Sequence, residues 1–398
     1  MKYILLSMAG AADYPVEEMG GKTLFEIAKM PNLHYFSKIG KVGSVKLAAE
    51  RLEPSPDSVF MNLLGYDADK VYTGRGPVEA ANLELKLEPN EVAFRMNFIT
   101  EADGTLADAS GGKVSTKESR ALLNFLNKKI SSDFVRFFPG AEYRHIAVLK
   151  DSHGLAALSA KTEAPENIVG EKITEHLPKG PGEELLKKLM YDAKLLLQDH
   201  EINQVRVDLG ENPANMIWLW GQGQRPELEK FSELYGITGA VVSDIEYASG
   251  IARLAGLTAV GVSSEGLEDT VKYEKLAKAV MEVLHEKDFV CVYLEGCDAA
   301  ARRGDYKGKV SALEAADYFV LSKIKEYLDK AMDVRVLVTP GHSVPWKLRK
   351  QTRDTVPFVL AGKNVMPDEI EKFSETTAKA SSLKISKGAD LMRLLFQK

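Results

Sequence analysis

Short apolar runs of strand length alternate with longer amphipathic segments along most of the chain. The runs that predict strands are residues 3–6, 289–294, 335–339 and 358–360, and the segments that predict helices are residues 181–197, 273–284 and 312–330. Apolar runs without internal alternation are typical of strands buried on both faces. Their alternation with helices predicts an α/β fold in which a mostly parallel sheet is flanked by helices.

The first strand leads into an open turn of small residues. Residues 3–6 are apolar, and the segment from Ala9 to Asp13 is rich in Gly and Ala. In open α/β sheets, ligands bind beyond the carboxyl ends of the strands, so we expect a site to begin at this turn. Thr23 is predicted to cap a helix near residues 24–29.

The middle of the chain has a different pattern. Short β-like pieces at residues 94–99 and 143–149 surround a helix that begins after Ser115, and Gly-rich turns separate them. This pattern of short strands, one helix and Gly-rich turns predicts an inserted domain. We assign residues 1–90 and 185–398 to a discontinuous α/β domain and residues 91–184 to a smaller α+β cap domain.

Composition limits the classes of partner. The 398 residues carry a net charge of −5, with 27% charged residues of both signs, so nothing indicates binding to nucleic acid or to an anionic membrane. We expect a small-molecule ligand such as a phosphorylated acid, and a homo-oligomer is compatible with the sequence. Cys291 and Cys297 lack metal-ligand spacing, and the N-terminus resembles neither a signal peptide nor a membrane span, so a cytoplasmic location is expected.

Several longer sequence strings are more specific than the pattern of strands and helices. They include Leu64-Gly65-Tyr66-Asp67, YTGRGPVEAA at residues 72–81, Phe94-Arg95-Met96-Asn97, Tyr143-Arg144-His145, PANMIWLWGQG at residues 213–223 and Thr339-Pro340-Gly341-His342. In this order, and over essentially the whole length, they resemble the archaeal-type 2,3-bisphosphoglycerate-independent phosphoglycerate mutases.

The resemblance implies an alkaline-phosphatase-like α/β domain that carries a smaller cap domain. It also implies a mechanism in which two divalent ions, usually manganese or zinc, activate a serine that takes the phosphoryl group from 3-phosphoglycerate and returns it to the other hydroxyl. Residues at family positions that could hold a phosphorylated carboxylic acid are Arg75, Arg95, Asp108, Lys113 and Arg144.

The metal-ligand positions implied by the resemblance are largely replaced. Of seven family positions, counting the serine, the chain retains Asp298 and His342, and the others hold Ala9, Pro56, Arg302, Gly341 and Gln351. Pro56, at the aligned position of the nucleophile, lies between Ser55 and Ser58, which are the candidate hydroxyls. Arg303 adds a second guanidinium beside Arg302.

These replacements lead to the first hypothesis. A divalent ion needs about four ligands in a fixed geometry, mostly carboxylate and imidazole, so we predict that no metal is bound tightly. The chain would then be a non-catalytic or anion-binding paralogue, with Arg302 and Arg303 contributing the positive charge that metals supply in the family.

Other interpretations remain open. The chain could be an active mutase in which Ser55 or Ser58 is the nucleophile, with replacement ligands drawn from Asp13, Asp57 and Asp305. A third hypothesis, a metal-free activity on another phosphoester, is supported only by the arginines. Structural roles compete at single positions: Asp298 and Arg302 have the spacing of an ion pair on a helix, the string Trp218-Leu219-Trp220 suits core packing, and Arg75 could pin its loop.

Overall fold

The computed structural model describes residues 1–150, 155–262 and 269–397, which form two compact units. One unit comprises Met1–Tyr72 and Glu227–Lys398, and the other comprises Thr73–Pro226. The second unit is larger than the 91–184 assigned from the sequence. The reason is tertiary: a helix at Arg75–Asn82 packs on the sheet of this unit, and the strand Met216–Gly223 pairs within that sheet.

The first unit contains an eight-stranded sheet with helices around it. Its strands are β1 (Lys2–Met8), β2 (Gly40–Val45), β8 (Gly239–Ser243), β9 (Thr258–Gly261), β10 (Phe289–Leu294), β11 (Val334–Thr339), β12 (Val356–Gly362) and β13 (Lys384–Ile385). Its helices are α1 (Leu24–Ile27), α2 (Pro31–Lys38), α3 (Pro56–Leu63), α4 (Ala68–Val71), α10 (Phe231–Tyr235), α11 (Glu246–Leu254), α12 (Asp269–Glu286), α13 (Gly296–Arg302), α14 (Tyr306–Ala315), α15 (Ser322–Lys330), α16 (Glu375–Ala380) and α17 (Gly388–Phe396), with a π-helical turn at Ala316–Leu321.

The strand order in this sheet is β13-β2-β12-β11-β1-β10-β8-β9. β1 pairs in parallel with β10 and with β11, and β8 is parallel to β10 and β9, whereas β12 runs antiparallel to both of its neighbours. The predicted α/β class with a mostly parallel, helix-flanked sheet is confirmed. All four strands predicted for this unit are present, each with bounds that match or slightly exceed the apolar run.

The core of the first unit lies where helices cover the central strands. Ile4, Leu6, Val290 and Val336 are fully or almost fully buried and belong to one apolar cluster with side chains of the surrounding helices. The burial of both faces explains why these strands are continuous apolar runs. The long amphipathic segment at 312–330 is helical throughout, although its centre takes π-helical geometry.

The second unit is built on an antiparallel sheet. Its strands are β3 (Glu91–Ala102), β4 (Thr105–Asp108), β5 (Val135–Phe138), β6 (Arg144–Lys150) and β7 (Met216–Gly223), and its helices are α5 (Arg75–Asn82), α6 (Thr116–Ile130), α7 (Ile173–His176), α8 (Glu183–Leu197) and α9 (Glu201–Asp208). The long strand β3 pairs with β4, β6 and β7, and β5 pairs with β6.

Local sequence signals position the helices that cover this sheet. Ser115 begins α6 as a capping box: its hydroxyl accepts from the Glu118 amide at 3.3 Å, and the Glu118 carboxylate accepts from the Ser115 amide at 3.0 Å. Trp218 is 1% exposed, and its indole N–H donates to the Glu163 carbonyl at 2.8 Å. The interpretation of Trp218 as a core residue is therefore confirmed.

Within the described ranges, no helix has the length and apolar character needed to cross a membrane.

A histidine clamp in the second unit makes stability depend on pH. His176 lies between two carboxylates, with Nδ1 2.9 Å from Glu163 Oε2 and Nε2 2.7 Å from Glu171 Oε2. These hydrogen bonds, first that with Glu163, raise the pKa of His176 above its ordinary value. Because the folded pKa is the higher one, the stabilisation is complete below the unfolded pKa of about 6.5 and is lost as pH rises through the folded pKa.

We therefore expect His176→Gln to lower the thermal midpoint at pH 6 but to have little effect at pH 9. Thermal unfolding followed by circular dichroism across this range tests the expectation. His285→Gln, at an exposed histidine of α12, is the control. A difference between wild type and His176→Gln that stays constant with pH would contradict the role of the clamp.

Candidate active site

The loops that follow β1, β10 and β11 meet at one edge of the first sheet. The Ala9 amide donates to the Leu294 carbonyl at 2.7 Å, and the Ser343 hydroxyl donates to the Ala12 carbonyl at 3.0 Å. Gly10 has φ +72°, and a Cβ there would lie 2.7 Å from the Cα of Asp298. Parallel pairing of the three strands forces their carboxyl ends to this edge, where α/β proteins bind ligands.

Asp298 is the centre of a buried ionic group at this edge. It lies on α13 and is 2% exposed; Arg302, one helical turn later, donates from Nε to Oδ1, and His342 Nε2 lies 2.7 Å from Oδ2. Burial alone would raise the pKa of Asp298, but the hydrogen bond with His342 and the charge of Arg302 outweigh it and hold that pKa well below its usual range. The two retained family positions therefore contact each other, and an arginine shares their carboxylate.

The residues present do not fit a two-metal centre. Within the described residues, no group of three His, Cys, Asp or Glu side chains could hold a metal ion. The replacement ligands considered from sequence already have other roles: Asp57 Oδ2 accepts from the Tyr72 hydroxyl at 2.6 Å, Asp305 caps α14 through the Gly308 amide at 2.8 Å, and Asp13 pairs with Lys309.

Gly341 also resists a ligand side chain. Its φ is +70°, which strains any residue that has a Cβ, and a Cβ there would lie 2.8 Å from the Ser7 hydroxyl. A carboxylate at this position would need a different loop conformation.

Buried polar atoms without a partner gather at the same edge. In the described parts of the chain, Ser7 Oγ, His342 Nδ1, Trp346 Nε1 and both amide atoms of Gln351 have no hydrogen-bond partner. The Thr352 amide donates to the Ser343 carbonyl at 3.0 Å, which brings Gln351 next to the loop of His342. Because an unsatisfied buried polar atom costs about 1–3 kcal/mol, such a concentration marks a place for a polar ligand or water.

A fully buried lysine braces the loop after β1. Lys309 Nζ on α14 donates to Asp13 Oδ2 at 2.7 Å, to the Ala12 carbonyl at 3.2 Å and to the Val344 carbonyl at 2.8 Å. The Asp13 amide in turn donates to Glu375 at 2.9 Å. One ammonium therefore joins α14 to the two loops that carry the edge of the site.

The candidate serines lie at the start of α3. Ser55 is the N-cap of this helix and Pro56 is its first residue. The Ser55 hydroxyl donates to Ser58 Oγ at 2.9 Å, whereas Ser58 is fully buried and donates back to the Ser55 carbonyl at 3.0 Å. Ser55 is only partly buried, so it is the more accessible hydroxyl of the two.

Two of the candidate substrate-binding arginines meet in the second unit. Arg75 Nε donates to Glu79 Oε1 at 2.8 Å, and Arg95 donates from Nη1 to the same oxygen. Arg95 Nε also donates to Asn97 Oδ1 at 3.0 Å, and its guanidinium lies over the ring of Trp220 at 5.6 Å. The sequence pointed to both arginines but not to the carboxylate that joins them.

The other candidates occupy different places. Arg144 pairs with Glu142 at 3.1 Å, and the adjacent His145 is buried, which lowers its pKa to about 3 and keeps it neutral. Asp108 and Lys113 line a surface depression of about 660 Å³ together with Arg206. Arg303 is an exposed residue at the C-terminal end of α13.

Arg206 is held by its own partners in that depression. It donates to the Asn212 carbonyl at 3.0 Å, the Gly112 carbonyl at 2.7 Å and the Glu118 carboxylate at 3.0 Å. These contacts fix the turn that presents Lys113.

The residues that the sequence did not point to are mainly buried charged side chains that pair with another charged residue of the site. Lys309 and Glu79 lie in helices with the spacing of ordinary polar positions, and both are almost completely buried. The available signal for Glu79 was its place four residues after Arg75 in one of the strings of the family resemblance. No local signal distinguishes Lys309, because its partner Asp13 lies 296 positions away in the chain.

Comparison with known proteins identifies relatives over the whole length. Residues 37–203 match the family described as 2,3-bisphosphoglycerate-independent phosphoglycerate mutase. A protein of that name from Methanothrix thermoacetophila is 37% identical over 397 residues, covering 99% of each chain. Among solved structures, the PH0037 protein from Pyrococcus horikoshii has a TM-score of 0.78 at 24% identity and covers 99% of this chain and 97% of that one. The cofactor-independent phosphoglycerate mutase from Thermoplasma acidophilum has a TM-score of 0.63 at 25% identity, covering 100% and 99%.

These relatives contradict the prediction of a non-catalytic or anion-binding paralogue, and that prediction is wrong. It counted ligand residues at single aligned positions, whereas the similarity to proteins named as mutases extends over the full chain. The findings support the alternative of an active enzyme.

Substitution of Lys309 tests how much its buried ion pair with Asp13 stabilises the loops at this edge. Lys309→Ala leaves the Asp13 carboxylate buried without its cation, so we expect the free energy of unfolding to fall by about 3–5 kcal/mol. Urea denaturation followed by circular dichroism measures the change. Lys307→Ala, at an exposed lysine on the same helix, should be nearly neutral. Equal effects of the two substitutions would show that the brace contributes nothing.

Proposed function

Because the chain belongs to the 2,3-bisphosphoglycerate-independent phosphoglycerate mutase family, we propose that it interconverts 3-phosphoglycerate and 2-phosphoglycerate. The observation that carries this proposal is the group of buried polar atoms without partners in the described residues, at the carboxyl edge of β1, β10 and β11. Buried groups such as those of Ser7, His342 and Gln351 cost free energy unless a ligand or water pairs with them. A polar ligand at this edge would satisfy them.

Ser55 is the hydroxyl that we assign to phosphoryl transfer. Its oxygen would form a bond to phosphorus as the bond from phosphorus to the 3-oxygen of the substrate breaks, and the hydroxyl proton would pass to that 3-oxygen. In the second step the 2-oxygen would take the phosphoryl group from Ser55 and its proton would return to the serine oxygen. Ser55 suits this role better than Ser58, which is fully buried. Its place at the N-terminus of α3 also favours negative charge, because the first backbone amides of a helix point outward.

We assign Arg302 to bind the negatively charged phosphoryl group during its transfer. The Arg302 side chain is 40% exposed while its Nε is held by Asp298, so the guanidinium is oriented and still accessible. A planar guanidinium suits the oxygens of a phosphoryl group. Arg303 adds a second, exposed guanidinium at the same helix end.

The metal requirement is proposed to differ from that of the family. The ligand set does not fit two divalent ions, so we propose that none is bound tightly. The chain is proposed to work in the cytoplasm, in keeping with its two buried, unpaired cysteines among the described residues.

Substitution of the two serines tests the assigned nucleophile. We expect Ser55→Ala to lower kcat in an enolase-coupled mutase assay by at least about 10³-fold, whereas Ser58→Ala should retain most of the activity. Because Ser55→Ala also removes a helix cap, Ser374→Ala, which removes the cap of α16, controls for lost stability. Absence of turnover in the wild type, with and without added manganese, would refute the proposed function. Activity that survives Ser55→Ala would refute the assignment of the serine.

Calorimetric titration with manganese and zinc tests the metal proposal. We expect no tight, stoichiometric binding to the wild type, because Arg302 already neutralises the Asp298 carboxylate. Arg302→His removes that cation and places an imidazole beside Asp298 and His342, so it should tighten zinc binding by at least about 10-fold. Arg303→His, at the exposed neighbour, is the matched control. Two ions bound tightly by the wild type would contradict the proposal.

A further inference from the structure

Glu79 joins two arginines that come from different elements of the second unit. Arg75 lies at the start of α5, one helical turn before Glu79, whereas Arg95 lies in β3. Both guanidinium groups donate to the same carboxylate atom, Glu79 Oε1. The Glu79 side chain is 6% exposed and the Arg95 side chain is 4% exposed, so solvent screens this contact only weakly.

Close packing holds α5 against β3 at this point. A Cβ on Gly76 would clash with the Ala93 carbonyl, so only a glycine allows the helix to lie this near to the strand. The position of Glu79 relative to Arg95 is therefore set by backbone packing as well as by charge.

The orientation of Arg95 is fixed on its other sides. Asn97 Oδ1 accepts from Arg95 Nε at 3.0 Å and from the Trp220 indole N–H at 3.2 Å, and Asn97 Nδ2 donates to Glu166 at 3.2 Å. The Trp220 ring lies against the guanidinium. A side chain held in this way loses little freedom when it binds an anion.

Charge explains why a carboxylate is needed between the two arginines. Two guanidinium groups brought together in a buried place repel each other, and Glu79 offsets one of the two positive charges. The trio keeps a net charge of +1, which suits an oxyanion. Without Glu79, the two guanidinium groups would lose the carboxylate that both contact, and their mutual repulsion would move them apart.

We propose that Glu79 is a positioning residue that holds Arg75 and Arg95 as one binding pair for an oxyanion of the substrate. This inference rests on the proposed function, since it takes phosphoglycerate as the ligand. Glu79 itself carries the wrong charge to contact that anion, so it acts through the two arginines.

Kinetics and binding of three variants test the proposal. We expect Glu79→Ala to raise KM for 3-phosphoglycerate by at least about 10-fold while kcat stays within about 2-fold. Glu79→Gln keeps an acceptor oxygen between the arginines and should recover part of the loss. Calorimetric titration with 3-phosphoglycerate should show Kd changing in parallel with KM. Glu91→Ala removes the buried carboxylate that pairs with Arg136 in the same unit and should change stability without changing KM.

Each result separates the positioning role from the proposed function. Unchanged KM and Kd in Glu79→Ala, in a wild type that turns over, would overturn the role of Glu79 and leave the mutase activity standing. Binding of 3-phosphoglycerate without turnover would end the mutase proposal, and the Kd values alone would then decide the role of Glu79. A wild type that neither binds nor converts the ligand would overturn both. Competition with D-glycerate and with glycerol 3-phosphate shows which oxyanion the pair holds, and Glu79→Ala should weaken the binding of that competitor.

Discussion

The parallel pairing of β1 with β10 and β11 is the constraint on which the first unit depends. Tyr3 is opposite Phe289 on one side and Arg335 on the other, so the first strand of the chain must lie between two strands from its last third. This arrangement has a high entropic cost of loop closure, which burial of the apolar runs has to exceed. Once this cost is met, the loops after β1, β10 and β11 are brought to one edge, where Asp298 and His342 come into contact.

Ionic contacts then determine what the edge can hold. Asp298 is neutralised by Arg302 and bonded to His342, and Asp13 is neutralised by Lys309. In the second unit, Glu79 has the corresponding place between Arg75 and Arg95. In each case a buried carboxylate is matched by a side-chain cation, because an isolated buried charge is too costly to keep.

The residues at the metal-ligand positions and the similarity over the whole chain lead to different conclusions about the activity of this protein. Counting residues at the metal positions predicted a protein without activity, and full-length relatives named as mutases overturned that prediction. The count described the residues at those positions, of which Asp298 and His342 are retained, and not the binding of metal ions. It also left out other polar groups, such as the hydroxyl of Ser55 and the unpartnered amide of Gln351.

The sequence alone determined the α/β class, the four apolar strands at residues 3–6, 289–294, 335–339 and 358–360, and the family, because these depend on apolar periodicity and on strings that are local in the chain. It located Arg75, Arg95, Asp298 and His342 as residues of interest for the same reason. Only the tertiary structure decided which charges meet: Lys309 with Asp13, Arg95 with Glu79, and His342 with Asp298. Such pairs join residues between 16 and 296 positions apart, and no local pattern encodes them, because their geometry comes from the way strands and helices pack.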